Sequence, residues 1–275
     1  TEVDNSMALY NPQSLLSRLN RNETDSVDGF IAECIRTARR ISEQSDGAYD
    51  ITVKPLTAAY GFTGDVPVQN PDVDSLLKLV GYDKIAVENG RLRKADPRMQ
   101  IDLNSIAQGA TSDYIAAYFE KLGIEEYMIE VGGEIFCRGL NAKGKPWVVG
   151  IDRPKEGNFT PGADLQVKIS LSGKGLATSG NYRKFRTDSS GRKIVHTVDP
   201  RTGQPVTSDL LSATVVAETS AEADAYGTAL MVMGLERGKE FLAAHPEIQA
   251  YLIYSDEQGR FQTYVTPELG RTIAR

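Results

Sequence analysis

The sequence is poor in the residues that bind soft metal ions. Its 275 residues include only two cysteines, Cys34 and Cys137, and two histidines, His196 and His245. Two cysteines cannot form a disulfide framework or a zinc site, and we expect both to be buried thiols rather than a disulfide. A bound metal ion would therefore rely mainly on oxygen ligands, which favours magnesium or calcium over zinc.

Positive charge and long apolar runs are also scarce. Lys and Arg number 31 against 37 Asp and Glu, giving a net charge of −6, which argues against a nucleic-acid partner. No run of 18 apolar residues occurs, so no transmembrane helix is expected. The first residues, TEVDNSMALYNPQS, do not have the pattern of a signal peptide, and we expect that the sequence is trimmed at this end.

Hydrophobic periodicity predicts a mixture of helices and strands in which strands predominate. Helices are predicted in VDGFIAECIRTARRISEQSDG, DVDSLLKLVG, IAQGATSDYIAAYFEKLG and AEADAYGTALMVMGLERGKEFLAAHP, the last broken at Gly234. AYDITVKPL is predicted to be a short strand or an extended segment, and strands are predicted around the Asn89-Gly90 turn and in most apolar segments between 125 and 265. Because the strands follow one another in runs, the pattern indicates one α+β domain, 1–275, with a mainly antiparallel sheet flanked by helices.

One candidate acid–base pair lies in HTVDPRTGQP. His196 follows an apolar strand, and Asp199 comes three residues later, ahead of a turn rich in Pro and Gly. A histidine beside a carboxylate is suited to general acid–base chemistry or to ligand binding. An Asp-Pro turn with a histidine satisfied by the backbone explains the same residues. His245, at a helix end, is better explained as a C-terminal cap.

A second candidate is AEADAYGTALMVMG, where Asp224 and Thr228 are four residues apart. On a helix they share one face, and a carboxylate with a hydroxyl forms part of a shell for a hard cation. The alternative is structural: an Asp that interacts with the helix dipole and a Thr that hydrogen-bonds to the carbonyl four residues earlier.

The segments IDLNSIAQGATSD and GLATSGNYRKF are the remaining candidates. In the first, Asp102 lies at a predicted strand end and Asn104 or Ser105 is suited to cap the helix that follows. In the second, Gly175, Ser179 and Gly180 are interpreted as a turn beside Tyr182, Arg183 and Lys184. Such a turn can bind a phosphate, and it can equally be an exposed loop.

These segments together resemble the ApbE family of FAD:protein FMN transferases. The resemblance covers nearly the whole chain, and its motifs occur in the family's order. They are ALYNPQSLLSRLN, GAYDITVKPLTAAYGF, IDLNSIAQGATSD, VGGEIFCRG, ATSGNYRKF, HTVDPRTGQP and AEADAYGTALMVMG. The resemblance implies an ApbE-like, T-fold-like fold.

The resemblance also implies an activity and its partners. Members use FAD as a substrate with Mg²⁺, split its pyrophosphate, and transfer FMN to a Ser or Thr hydroxyl of a target protein, releasing AMP. The expected acceptor is a flavoprotein subunit of an electron-transport chain. Family members are commonly exported and tethered by a lipidated cysteine, so a bacterial periplasmic or membrane-anchored location is expected for this protein.

Site roles are implied residue by residue. Asp224, Thr228 and the backbone carbonyl of Ser105 match the metal ligands, and His196 matches the histidine that acts as catalytic base. The positions expected to bind the flavin cofactor are Tyr60, Gly61, Phe62, Asp102, Gln108, Ser179, Thr197 and Val198. The rings of Tyr60 and Phe62 offer flat faces to an isoalloxazine or adenine ring.

Two departures from the family pattern bear on the activity. Gln108 stands where the family has a lysine, and a neutral amide can hydrogen-bond to the cofactor but cannot supply a positive charge. The family's N-terminal MGT segment is also missing from the sequence, either because the sequence is trimmed or because that strand is absent. These departures keep open a second hypothesis, an FAD-binding protein or a pyrophosphatase that converts FAD to FMN and AMP.

A third hypothesis makes this chain the acceptor itself. The stretch DLNSIAQGATS superficially resembles the acceptor signature of flavinylated subunits, with Thr111 as the modified residue. This hypothesis is the weakest, because Thr111 would then lie about one turn inside a helix.

Overall fold

A computed structural model describes residues 1–63, 66–154, 162–180, 185–187 and 193–273. The chain separates into two compact units, each assembled from two segments. Thr1–Ala107 and His196–Val206 form the first, here called the N-terminal unit. Gln108–Val195 and Thr207–Arg275 form the second, here called the sheet unit. The expectation of one domain over 1–275 stays a prediction.

The N-terminal unit is mainly helical. Its α-helices are α1 (Glu2–Met7), α2 (Leu15–Asn20), α3 (Gly29–Gln44), α4 (Lys54–Ala59) and α5 (Val73–Leu77), and its strands are β1 (Ile85–Glu88) and β2 (Arg91–Lys94). Helix α3 forms as its pattern predicts: the Asp28 carboxylate accepts the Ile31 N–H at 2.9 Å, and apolar residues at helical spacing are buried. The Asn89-Gly90 turn also forms, with positive φ at both residues, as a two-residue hairpin requires.

The prediction of a short strand or extended segment in AYDITVKPL is wrong. A 3₁₀ turn at Ile51–Val53 leads directly into α4. The buried Asp50 carboxylate accepts the N–H and hydroxyl of Thr52 at 2.8 and 2.7 Å, which closes the turn. Pro55, in the first turn of α4, then pre-sets the helical φ.

One further prediction for this unit needs correction. The sequence predicts a helix that is capped by Asp72 and ended by Gly81. Asp72 does cap α5, but α5 ends at Leu77, before Gly81. The helices α1 and α2 are not predicted by the sequence pattern, because each has only six residues and too few turns to show a period.

The sheet unit is built on one six-stranded antiparallel sheet. Its strands are β3 (Tyr127–Val131), β4 (Glu134–Arg138), β7 (Lys174–Gly180), β10 (Leu210–Ala217), β11 (Gln249–Ser255) and β12 (Phe261–Val265), arranged in the order β12-β11-β10-β7-β4-β3. Two antiparallel pairs accompany it: β5 (Trp147–Asp152) with β6 (Leu165–Leu171), and β8 (Phe185–Thr187) with β9 (Lys193–Val195). The predicted α+β class with antiparallel sheet is confirmed.

Three helices belong wholly or almost wholly to the sheet unit: α6 (Ala107–Lys121), α7 (Ser220–Ala244) and α8 (Pro267–Thr272). Helix α7 is interrupted at Gly234, whose φ of 74° is not helical, so the predicted break is confirmed. His245 is the C-cap of α7, also as predicted. Helix α8 is too short for its pattern to be recognised.

The two faces of the sheet are buried by different elements. Ile135, Cys137, Leu176 and Ile253 pack with apolar residues of β5 and β6. On the other face α7 packs against β7 and β10, while Ala116 of α6 packs with Tyr127 and Ile129 of β3. Alternation along each strand therefore gives the sheet two apolar faces and holds α6 and α7 on one of them.

Helical spacing predicts that Ile115, Tyr118, Phe119 and Leu122 form one apolar face of α6, and this prediction is partly wrong. Ile115 and Phe119 pack against β3 and β4, but Tyr118 is 59% exposed and Leu122 58% exposed. The buried positions are instead small: Gly109, Ala110, Ser112 and Ala116. Small side chains bring the helix axis close to its neighbours, a kind of packing that a hydrophobic pattern does not reveal. Within the described part of the chain, no helix is both long and apolar enough to cross a bilayer.

Candidate functional site

His196 lies in the N-terminal unit, immediately after β9. Its imidazole meets the edge of the Phe62 ring, with the ring centroids 6.4 Å apart and the planes at 72°. Phe62 and Gly61 follow α4, and Gly61 has a φ of 77° that turns the chain out of the helix. The expected catalytic histidine and one of the expected flavin-contacting rings are therefore neighbours.

Tyr60 is held by the segment that carries His196. Its hydroxyl donates to the Gly203 carbonyl at 2.9 Å, and its ring packs with Leu56, Val80 and Val198. Much of the Tyr60 ring is thus used in packing, so Phe62 is the better candidate for stacking on a flavin or adenine ring. The sequence gives Tyr60 and Phe62 the same expected role, whereas the structure shows that their environments differ.

The segment after His196 is a closed loop with a buried start. Thr197 and Val198 are 8% and 5% exposed, and the Thr197 carbonyl accepts the Val206 N–H at 2.9 Å. Arg201 donates to the Asp199 carboxylate through Nε and Nη2 at 2.9 and 2.7 Å. Asp199 therefore stabilises the turn, as the structural alternative proposes, and backbone groups are the natural contacts of Thr197 and Val198 with a ligand.

Asp102 and Ser105 lie in an irregular segment rather than at a strand-to-helix junction. Asp102 Oδ1 accepts the Asn104 N–H at 2.9 Å, and α6 begins only at Ala107. The prediction that Asn104 or Ser105 caps the helix is therefore wrong. The Asx turn at Asp102 diverts the chain before the helix can start. Ser105 is instead contacted by Tyr49, whose hydroxyl accepts from Ser105 Oγ at 3.2 Å.

In the sheet unit, Asp224 and Thr228 lie one turn apart on α7. Ser179 of β7 lies beside Thr228: its Oγ is 3.5 Å from Thr228 Oγ1. Gly227, the residue before Thr228, permits this approach, because a Cβ there would lie only 2.8 Å from Ser179 Oγ. Gly175, Ser179 and Gly180 belong to strand β7, so the interpretation of these residues as a turn is wrong. Tyr182, Arg183 and Lys184 lie outside the described residues.

Asp224 is a buried carboxyl group with an unused acceptor. It is 6% exposed, and its Oδ2 has no hydrogen-bond partner among the described residues. Burial raises its pKa well above the usual range, and the nearby Glu134 charge raises it further, while a hydrogen bond from the Gly109 backbone opposes this shift. A buried carboxylate with an unfilled acceptor is the kind of group that a cation stabilises.

Gln108, the residue that replaces the family's lysine, lies at the start of α6 against Gly132. A Cβ at Gly132 would lie 1.8 Å from Gln108 Nε2 and 3.3 Å from Glu134 Oε2. The Gln108 amide and the Glu134 carboxyl therefore border the same small space beside the β3–β4 turn. Glu134 itself is 9% exposed, and sequence reasoning missed it although it stands in the VGGEIF motif.

The expected site residues fall into two sets. His196, Tyr60, Gly61, Phe62, Asp102, Ser105, Thr197 and Val198 belong to the N-terminal unit, and Gln108, Ser179, Asp224 and Thr228 to the sheet unit. Within the first set the structure brings Phe62 to His196. Within the second it brings Ser179 to Thr228, and Gly109 to Asp224.

Comparison with known proteins decides the family. The model of the ApbE family matches residues 1–252. The chain belongs to the ApbE family. Relatives named FAD:protein FMN transferase include that of Escherichia coli K12, which is 34% identical over 276 residues, 96% of this chain and 77% of that protein. The protein of that name from Haemophilus influenzae is 34% identical over 270 residues, 94% of this chain and 77% of its own length.

Solved structures of ApbE proteins have the same fold. The flavin transferase ApbE from Vibrio cholerae superposes with a TM-score of 0.84 at 31% identity, covering 98% of this chain and 86% of that one. The apo form of the flavinyl transferase ApbE from Pseudomonas stutzeri gives a TM-score of 0.85 at 30% identity, covering 98% and 84%. The expected ApbE-like fold is confirmed.

The residues present fit a hard cation such as Mg²⁺. In the sheet unit, the donors are the unpartnered Oδ2 of Asp224 and the hydroxyl of Thr228. All are oxygen atoms, the ligand type that Mg²⁺ prefers, and Mg²⁺ commonly keeps waters or phosphate oxygens in its other positions. Among the described residues no three His, Cys, Asp or Glu side chains form a metal-binding cluster.

Proposed function

We propose that this protein is an FAD:protein FMN transferase that requires Mg²⁺ and releases AMP. The observation that carries the proposal is the family match across residues 1–252, with Asp224, Thr228 and His196 present at the positions expected for the metal ligands and the base. The relatives with this activity in their names align with at least 94% of the chain at 34% identity, so the proposal does not depend on an isolated motif.

Each group has a role that follows from its chemistry. Asp224 and Thr228 would hold the Mg²⁺, which when bound neutralises negative charge on the pyrophosphate oxygens. The expected contribution of the Ser105 carbonyl stays a prediction. Phe62 would offer its ring to the flavin or adenine, and the backbone of Thr197 and Val198 would hydrogen-bond to it. The Phe62 ring also lies beside the His196 imidazole.

The transfer step is a displacement at phosphorus. A Ser or Thr hydroxyl of the target protein attacks the phosphorus that carries the FMN part of FAD, forming a new phosphoester bond. The bond from that phosphorus to the bridging oxygen breaks, and the oxygen leaves with AMP. His196 accepts the hydroxyl proton as the bond forms, since an imidazole titrates near neutral pH.

The activity can be tested with FAD, Mg²⁺ and a flavoprotein subunit that carries an acceptor threonine. A fluorescent FMN adduct on the subunit and an equal amount of AMP are expected. Asp224→Ala should lose the stimulation of FMN transfer by Mg²⁺. Glu236→Ala, a change of an exposed carboxylate on the same helix, should leave the transfer unchanged. Unmodified subunit together with unchanged FAD would contradict the proposal.

FAD hydrolysis is the second candidate, and Gln108 is the observation that favours it. Without the family's lysine the site has one positive charge fewer near the pyrophosphate. Product analysis separates the two activities: free FMN and AMP without an adduct indicate a pyrophosphatase, and unchanged FAD indicates a binding protein. Thr111 lies inside helix α6, so modification of this chain at Thr111 is the least favoured hypothesis.

A further inference from the structure

Asp113 connects two helices of the sheet unit at the turn that precedes the proposed metal ligands. It lies on α6, and its carboxylate reaches the N-terminus of α7. Oδ1 accepts the Ser220 N–H at 2.8 Å and Oδ2 accepts the Ala221 N–H at 2.8 Å. Asp224 follows Ala221 by three residues on the same helix.

The other donors at this helix end are satisfied within α7. Thr219 is the N-cap, and its Oγ1 accepts the Glu222 N–H at 3.2 Å. The Glu222 side chain accepts the Thr219 N–H in return, at 3.3 Å, and the Ala223 N–H reaches the Thr219 carbonyl at 3.1 Å. The helix therefore has a complete capping box without Asp113. The carboxylate of Asp113 connects α7 to a different helix, α6, which the capping box does not do.

Two glycines show how closely the surrounding elements approach this turn. A Cβ at Gly109 of α6 would lie 2.4 Å from the Ser220 carbonyl oxygen, and a Cβ at Gly175 of β7 would lie 2.2 Å from the Ser220 nitrogen. The backbone of Ser220 is thus enclosed between α6 and β7. Gly109 also donates its N–H to the Asp224 carboxylate, so α6 holds α7 at two points one turn apart.

We propose that Asp113 is a positioning residue that sets where Asp224 and Thr228 stand. The carboxylate fixes the first turn of α7 against α6, and the helix transmits that position to the next turn. The effect of Asp113 on metal binding rests on the proposed function, because it assumes that Asp224 and Thr228 bind the metal ion. The position of α7 itself can be tested without the metal.

The first test measures metal binding and stability separately. Mn²⁺ would be titrated by electron paramagnetic resonance into the wild type and into Asp113→Asn, which replaces one acceptor oxygen with a donor. Because groups that orient metal ligands typically contribute about 10- to 100-fold to metal affinity, we expect Mn²⁺ binding to weaken at least about tenfold. Asp113→Glu keeps the charge and should recover part of the loss.

Thr219→Ala is the matched control. It removes a cap of the same helix but leaves the connection between α6 and α7 in place, so it should lower the melting temperature with little effect on Mn²⁺ affinity. Equal weakening by Thr219→Ala and Asp113→Asn would mean that fraying of the helix end, and not its docking, explains the effect. That outcome would overturn the proposal, as would wild-type affinity in Asp113→Asn.

A second measurement keeps this inference distinct from the proposed function. If Asp224→Ala binds Mn²⁺ as well as the wild type does, the proposed metal site fails whatever Asp113 does. A crystal structure of Asp113→Asn then decides the positioning role. We expect the first two turns of α7 to be displaced from α6, and an unmoved Asp224 carboxyl group would overturn the inference.

Discussion

At the scale of single residues, Asp113 combines burial with two hydrogen bonds. Burial raises its pKa to about 6, and the Glu222 charge acts in the same direction, while the N–H groups of Ser220 and Ala221 oppose the shift. A raised pKa in the folded state means that the native protein keeps a proton that the unfolded chain releases. The stability that Asp113 contributes must therefore fall as pH rises from about 4 to about 6.

This dependence predicts a difference between the wild type and Asp113→Asn, which does not titrate at this position. The wild-type free energy of unfolding, relative to that of the variant, should fall by about 1–3 kcal/mol between pH 4 and pH 7. Urea unfolding at a series of pH values measures it. A difference that stays constant with pH would contradict the raised pKa.

The two cysteines give a second prediction at this scale. Cys34 is 1% exposed and Cys137 is 0% exposed, and burial raises the pKa of the Cys137 thiol to about 12. Because the thiolate is the reactive form, neither cysteine should react with Ellman's reagent in the folded protein at pH 8. Both should react after denaturation, which serves as the control. Rapid reaction of the native protein would contradict the burial.

Gln108 is the third residue with a testable consequence, and this prediction rests on the proposed function. A lysine at this position would bring a positive charge beside Glu134 and toward the pyrophosphate. We expect Gln108→Lys to bind FAD about 3- to 10-fold more tightly, about 1 kcal/mol, with a stronger salt dependence. Gln108→Met is the uncharged control of similar length, and equal affinities for the Lys and Met variants would contradict a charge effect.

At the scale of elements, the contact of α7 with its neighbours depends on glycines that have no room for a side chain. A methyl group at Gly175 would meet the backbone of Thr219 and Ser220 at 2.2–2.4 Å, and backbone atoms cannot move aside as the end of a side chain can. Gly175→Ala should therefore destabilise the protein by about 2–4 kcal/mol.

The control for Gly175→Ala is Gly29→Ala. Gly29 is the first residue of α3, and a Cβ there has nothing within 4 Å. Alanine at this position should be neutral or stabilising by a few tenths of a kcal/mol. Thermal unfolding of the two variants gives the comparison, and similar melting temperatures would show that α7 can move away from β7 at little cost.

The elements that the sequence predicts well are those specified by local signals. Asp28 and the spacing of Ile31, Ile35 and Ala38 define α3 without help from other segments. The Asn-Gly turn defines its hairpin in the same way. By contrast, AYDITVKPL has the composition of a strand, and it becomes helical because the Asp50 carboxylate closes a turn onto Thr52.

The site is less predictable than the elements that carry it. The family motifs indicate Asp224, Thr228 and His196 directly, since each stands in a recognisable stretch. Asp113 and Glu134 stand in two other family motifs, but their roles depend on partners far along the chain: Ser220 follows Asp113 by 107 residues. Spacing within a motif carries no information about such contacts.

At the scale of the whole molecule, the N-terminal unit is discontinuous in the chain. The Tyr60 hydroxyl bonds to the carbonyl of Gly203, 143 residues later, and Val198 completes the apolar cluster of Leu56 and Val80. A fragment of residues 1–107 lacks both contacts. We expect it to show helical circular dichroism without a cooperative melting transition, and sharp two-state unfolding of this fragment would contradict the expectation.

The discontinuity has a consequence for the order of events during synthesis. The segment His196–Val206 leaves the ribosome roughly 90 residues after the rest of its unit. At roughly 5–20 residues per second this delay is roughly 5–20 s. Throughout that interval the surface that Val198 will cover is exposed on the nascent chain, so the unit that carries His196 cannot finish folding before this segment has been synthesised.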